Sequence, residues 1–148
     1  MNTIVRVNLG PPVYPDWKRR LLNPEMEGAG PAEFDAARLE FWLHPDQAAG
    51  ARLKIKGRVI YDHLKDSGLL AGCLGLRELD AIQSRGLPFF WQVLGNPGAV
   101  FGWRSCVEYE NGLQLAPCLK ELDGQLVRLW RPFTQRWGKR SPALRFPL

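Results

Sequence analysis

Two short turn signals, "ENG" at 110–112 and "LDG" at 122–124, limit what this chain can fold into more than any other feature. They divide the last third into three strand-like runs, the pattern of an antiparallel meander. A two-residue turn at Asn-Gly would set Glu108 opposite Leu115 and Tyr109 opposite Gln114, mixing polar and apolar side chains on each face. A three-residue loop ending in glycine instead pairs Tyr109 with Leu113, Val107 with Leu115 and Trp103 with Leu119. Register follows the buried face, so the three-residue loop is the expected one. The same loop at "LDG" pairs Leu119 with Val127 and Pro117 with Leu129. Trp103, Val107, Tyr109, Leu113, Leu115, Leu119, Val127, Leu129 and Phe133 then face inward. On the outer face Arg104, Cys118 and Arg128 form one row, and Cys106, Ala116 and Trp130 another. "PALRFPL" adds a last strand with Leu144 and Phe146 inward.

The rest of the chain reads as shorter pieces. Thr3, Val5, Val7 and Leu9 alternate as on a strand. Residues 10–31 carry five prolines and read as a long irregular arm with a helical turn near 17–22. "PAEFDAARLEFWL" reads as a short helical start from Pro31 giving way to a strand at Leu39, stopped by His44-Pro45. Three helical segments end at Gly68, Gly86 and Gly95. Together these predict a single α+β domain over residues 1–148. Its mostly antiparallel sheet combines the C-terminal meander with N-terminal strands, and two or three short helices pack on one face.

"RLKIKGRVIY" spaces Arg52, Lys54, Lys56 and Arg58 at every second position. On a helix these four would point in different directions, whereas on a strand they share one face. A strand over 52–61 is therefore expected, paired with 39–43, with Gly57 marking a bulge or a close approach by another segment. Such a row spans about 20 Å, enough to follow several phosphates. The competing role for its lysines is to keep an exposed edge strand from pairing with another chain.

The net charge is +5, and no acidic residue follows Asp123, whereas Arg128, Arg131, Arg136, Lys139, Arg140 and Arg145 do. Unbalanced cations of this kind suit an anionic partner. Arg104, Arg128 and Trp130 combine positive charge with a flat ring that can stack on a base. Arg136, Trp137, Lys139 and Arg140 repeat that combination, and a solvated loop is the plainer account of it.

Chemistry-bearing motifs are few. His63 has Asp62 and Asp66 near it, and Asp46 follows His44, at spacings that match no metal or acid–base site. No metal, cofactor or catalytic residue is expected. Three cysteines lack a CxxC spacing, and Cys73 sits among apolar neighbours as an inert thiol does. No secretory leader or bilayer-spanning run is read, so a cytoplasmic location is expected.

The functional expectation is a non-enzymatic module that binds an anionic partner, above all nucleic acid. Its contacts would be Arg52, Lys54, Lys56, Arg58, Arg104, Arg128, Trp130, Arg136, Trp137, Lys139 and Arg140. The alternative is a protein-interaction subunit or inhibitor that uses the proline-rich arm and aromatic surface. A third reading is a small-molecule or metal-dependent enzyme domain with a pocket at Trp91, Trp103 and Tyr109.

Overall fold

A computed structural model describes residues 1–49, 54–95 and 97–148. Its first half contains β1 (Ile4–Arg6), β2 (Lys18–Leu21), β3 (Glu33–Asp35), β4 (Glu40–Trp42), α1 (Pro45–Ala48), β5 (Ile55–Lys56) and α2 (Gly57–Asp66). Then follow α3 (Leu76–Ser84), α4 (Gly86–Leu94), β6 (Val100–Phe101), β7 (Val107–Tyr109), β8 (Gln114–Leu122), β9 (Gln125–Pro132), β10 (Arg136–Trp137) and β11 (Ala143–Arg145). The class is α+β, as expected. Among the described residues, no helix is long and apolar enough to cross a membrane.

β8 is the hub. One of its edges pairs with β7 and then with β6, and the other pairs with β9. β2 extends the sheet beyond β7, and β11 then β4 extend it beyond β6. The β6–β11 contact is parallel and the other pairings are antiparallel. β1–β3 and β5–β10 form two separate ribbons.

The run Leu115-Ala116-Pro117-Cys118-Leu119 explains that central place, because a continuous apolar stretch suits a strand covered on both faces. Leu119 enters a cluster with Val100, Leu144, Leu79 and Ile82 of α3, and Phe89 and Phe90 of α4. Cys118 enters a second cluster with Phe101, Ala143, Trp103 and Trp137, together with Ile60, Tyr61 and Leu64 of α2. Proline is unusual in a central strand because it offers no N–H. Here the Pro117 carbonyl accepts from the Gly102 N–H on the edge where a 3₁₀ turn, Trp103–Ser105, separates β6 from β7. The missing donor faces that gap, so the β8–β9 ladder loses nothing.

Several expectations hold. The "ENG" loop has three residues, with Val107 opposite Leu115 and the Tyr109 N–H donating to the Leu113 carbonyl. α2, α3 and α4 stop just before the expected glycines. Leu144 is buried in β11, and Phe146 packs against the first cluster.

Others are corrected. Only Ile55–Lys56 is extended in the alternating stretch, and from Gly57 the chain is helical. Gly57, Ile60, Tyr61 and Leu64 are buried, a helical stripe that outlasts the alternation, while Val59 is exposed. Arg52 lies outside the described residues. Gly57 does mark a close approach: a Cβ there would sit 2.4 Å from the Trp137 ring and 3.0 Å from the Phe133 Cα. β5 pairs with β10, and β4 pairs with β11, so the expected pairing of 39–43 with 52–61 does not form.

At "LDG" the loop has two residues. Asp123 and Gly124 both adopt positive φ, 51° and 80°, the mirror-image turn that matches strand twist. Lys120 therefore pairs with Val127 and Leu119 with Arg128, and the one-residue slip exchanges the faces of β9. Leu129 is consequently exposed, and the expected outer rows through Arg104 and Cys106 do not form. Leu119 faces Val100 across the ladder, because the 3₁₀ turn at Trp103 has already ended that strand. Residues 18–21 are strand β2 on the open edge of β7, where a helical turn would leave backbone groups unpaired. Residues 33–35 pair with β1 before any helical turn, and Asp35 then caps a 3₁₀ turn at Ala36–Arg38.

Glu78 and Arg104 form a buried ion pair, 0% and 4% exposed, with Nη2 and Oε1 2.5 Å apart. Glu78 also accepts from the Gly75 N–H, and the Ser105 hydroxyl oxygen accepts from the Leu76 N–H. Removing one partner strands the other charge out of water. Arg104→Met should therefore lower unfolding stability by about 3–5 kcal/mol, read as a fall in the urea midpoint. Adding Glu78→Gln should recover part of that loss, and equal effects of the single and double variants would contradict the pairing.

Candidate functional site

The β5–β10 ribbon sets Lys56 opposite Arg136 and Ile55 opposite Trp137. Alternation along both strands turns Ile55 and Trp137 toward the second cluster and Lys56 and Arg136 toward solvent. Arg136 Nη1 donates to the Lys54 carbonyl at 3.2 Å, and the Lys54 stem crosses Gly138, 3.6 Å from where a Cβ would sit. Lys54, Lys56 and Arg136 thus share one exposed ribbon surface.

Residues 138–141 lead from that ribbon to a cavity of about 250 Å³ lined by Gly98, Ala99, Lys120, Glu121, Arg131, Arg140 and Ser141. Gln47, buried at the end of α1, holds this loop by donating to the Gly138 and Ser141 carbonyls at 2.7 and 2.9 Å. The Arg140 carbonyl accepts from the Ala99 N–H, and Gly98 leaves room for it. Arg131 stacks over the Phe101 and Trp137 rings, 5.1 Å from each centroid, and Nη1 lies 3.3 Å from Ser141 Oγ. Glu121 Oε1 is occupied by the Gly124 N–H. Among the described residues, no carboxylate lies within ion-pair distance of Lys54, Lys56, Lys120, Arg131, Arg136, Lys139 or Arg140.

The other residues expected at the site lie elsewhere. Arg104 is sealed inside with Glu78. Arg58, on α2, lies 3.6 Å from Asp62 and over the Phe133 ring. Arg128 pairs with Asp80 at 3.2 Å and donates to the Val13 carbonyl. Trp130 is half-buried beneath the arm, its ring 6.2 Å from Tyr14 and 5.9 Å from Trp17. Trp137 is fully buried. Arg131 was counted only among the unbalanced cations, Lys120 and Ser141 were not anticipated, and the Asp-Gly turn was the sequence signal that could have placed Arg131.

The arm is itself docked on the molecule. The Tyr14 hydroxyl donates to Glu27 Oε2 at 2.6 Å, and burial first, then that bond, raises its pKa far above the ordinary phenol value. Trp17, Tyr109, Leu113 and Leu115 line an open apolar cleft of about 300 Å³. Trp103, by contrast, is fully buried and Trp91 is exposed, so these two do not line a pocket with Tyr109.

His44 and His63 do meet, ring centroids 4.8 Å apart, with Trp42 against both. His44 works as a helix cap: Nδ1 accepts from the Asp46 N–H at 3.0 Å, and its own N–H donates to Gln47 Oε1. With that lone pair committed, the neutral ring carries its proton on Nε2 and presents no second lone pair to a metal. The three thiols are buried and free; burial pushes Cys73 up to about 12 and Cys118 to about 11. They are protonated and inert at neutral pH.

Comparison with protein-family models, with curated proteins and with solved structures finds no match to this chain. Its function has to be read from geometry.

Burial, then the neighbouring His63, lowers the His44 pKa below 6.5, against a smaller opposing effect of Asp46. The unfolded chain therefore takes up a proton that the folded one refuses, and stability falls as pH drops below about 6.5. His44→Asn keeps an N-cap acceptor without a titrating ring. Urea midpoints at about pH 7.5 and about pH 5.5 should differ less in that variant than in the native chain. An identical pH dependence would contradict the assignment.

Proposed function

We propose that the chain is a non-enzymatic module that binds nucleic acid through the β5–β10 ribbon and the loop and pocket that follow it. The supporting observation is the gathering of Lys54, Lys56, Arg136, Lys139, Arg140, Arg131 and Lys120 with no carboxylate partner among the described residues. Cations already paired within the fold have little to gain from a phosphate, whereas these release counterions when one arrives. Arg104 and Trp137 contribute from inside, by holding the frame beneath the surface.

Fluorescence anisotropy with a single-stranded oligonucleotide tests the reading. Affinity should fall steeply with salt. Replacing Lys54, Lys56 and Arg136 together by glutamate should flatten the slope of log K against log salt by about 2 to 3. Arg58→Glu, outside the ribbon, should change it far less. Salt-independent binding, or equal slopes in the two variants, would refute the proposal.

The apolar Trp17–Tyr109 cleft favours a second reading, a protein-interaction subunit that docks a partner's apolar side chain beside the arm. That reading expects association that is insensitive to salt and is lost in Tyr109→Glu. Retained association in the variant would dismiss it.

A further inference from the structure

Resting on that reading, we infer that the pocket between Arg131, Arg140 and Lys120 receives the terminal phosphate monoester of a nucleic-acid strand. Three side chains there are cationic and one, Glu121, is acidic, with an Oε1 turned to the Gly124 N–H. The surplus is about two positive charges, and a monoester carries about −1.5 to −2 at neutral pH. An internal diester carries only one negative charge and would leave the pocket half compensated.

The donors are preorganised. Arg131 has its Cζ over the Phe101 and Trp137 rings, which hold the guanidinium in place while its N–H groups not directed at Ser141 remain to meet a phosphate. Ser141 Oγ accepts from Arg131, so its O–H remains to donate outward. Lys120 and Arg140 are exposed and line the same cavity as Arg131. The cavity is concave, about 250 Å³, which suits a group with one covalent exit better than a backbone that must enter and leave. Residues 138–141 join the pocket to the Lys54–Lys56–Arg136 ribbon, so a strand ending in the pocket has a basic surface on which to lie.

The test uses the full chain and one single-stranded oligonucleotide prepared with a 5′-phosphate, a 3′-phosphate or hydroxyls at both ends. One phosphorylated form should bind about tenfold more tightly than the hydroxyl form, the gain expected of charge-assisted bonds to one added phosphate group. Lys120→Gln with Arg140→Gln changes exposed side chains only, and should weaken the phosphorylated form about fivefold more than the hydroxyl form, so that the preference falls to within about twofold. Arg131→Lys keeps the charge but loses the fork, and should weaken the preference as well. Measurable binding of all three forms with equal affinity would overturn the pocket assignment and leave the ribbon reading standing. Binding of none would overturn both. Equal competition by inorganic phosphate or by a phosphoserine peptide would overturn the assignment to a strand end.

Discussion

The Glu78–Arg104 pair is the interaction on which the rest of the molecule depends. It sits where three segments meet: the start of α3, the turn between β6 and β7, and the arm at Gly30, where a Cβ would lie 2.5 Å from Glu78 Oε2. The Arg104 N–H donates to the Leu74 carbonyl, and Ser105 completes the contact through Leu76. Two charges removed from water are tolerable only together, so the pair ties helix, turn and arm to one another. It also takes one arginine out of circulation. A basic sequence need not make a basic surface, and each cation has to be followed to its partner before it counts.

Once that is done, five of the arginines drop out. Arg20, Arg58, Arg104, Arg128 and Arg145 face carboxylates. The cations of the β5–β10 ribbon and the pocket do not, and they are gathered from residues 54–56 and 120–140. Their placement follows from apolar packing beneath them. Trp137 fills the space that Gly57 leaves empty, and its ring in turn supports Arg131. The proposed binding surface is thus carried by the second core.

Some of this was legible in the sequence. The glycine stops of α2, α3 and α4, the three-residue loop at "ENG" and the inward Leu144 all express local rules. The failures have local causes too. Seven residues of alternation, 52–58, were outweighed by the stripe of Ile60, Tyr61 and Leu64, which lies just beyond that window. At Asp123-Gly124 the backbone took the two-residue turn, which moved Arg131 beside Ala116 and put Arg128 and Trp130 beneath the arm. Of the site, Lys54, Lys56, Arg136, Lys139 and Arg140 were named from the sequence. That Lys56 meets Arg136, 80 positions further along, is a tertiary fact that no local pattern carries. The burial of Arg104 was hidden for the same reason, since its partner Glu78 lies on a different element.

The most direct test is a nuclear magnetic resonance titration of isotope-labelled protein with a phosphorylated single-stranded oligonucleotide, following backbone amides and arginine Nε signals together. The account expects shifts at Lys54, Lys56, Arg131, Arg136 and Ser141, with the Arg104 Nε signal unmoved. Shifts centred on Trp17 and Tyr109, with Arg131 and the ribbon silent, would contradict it.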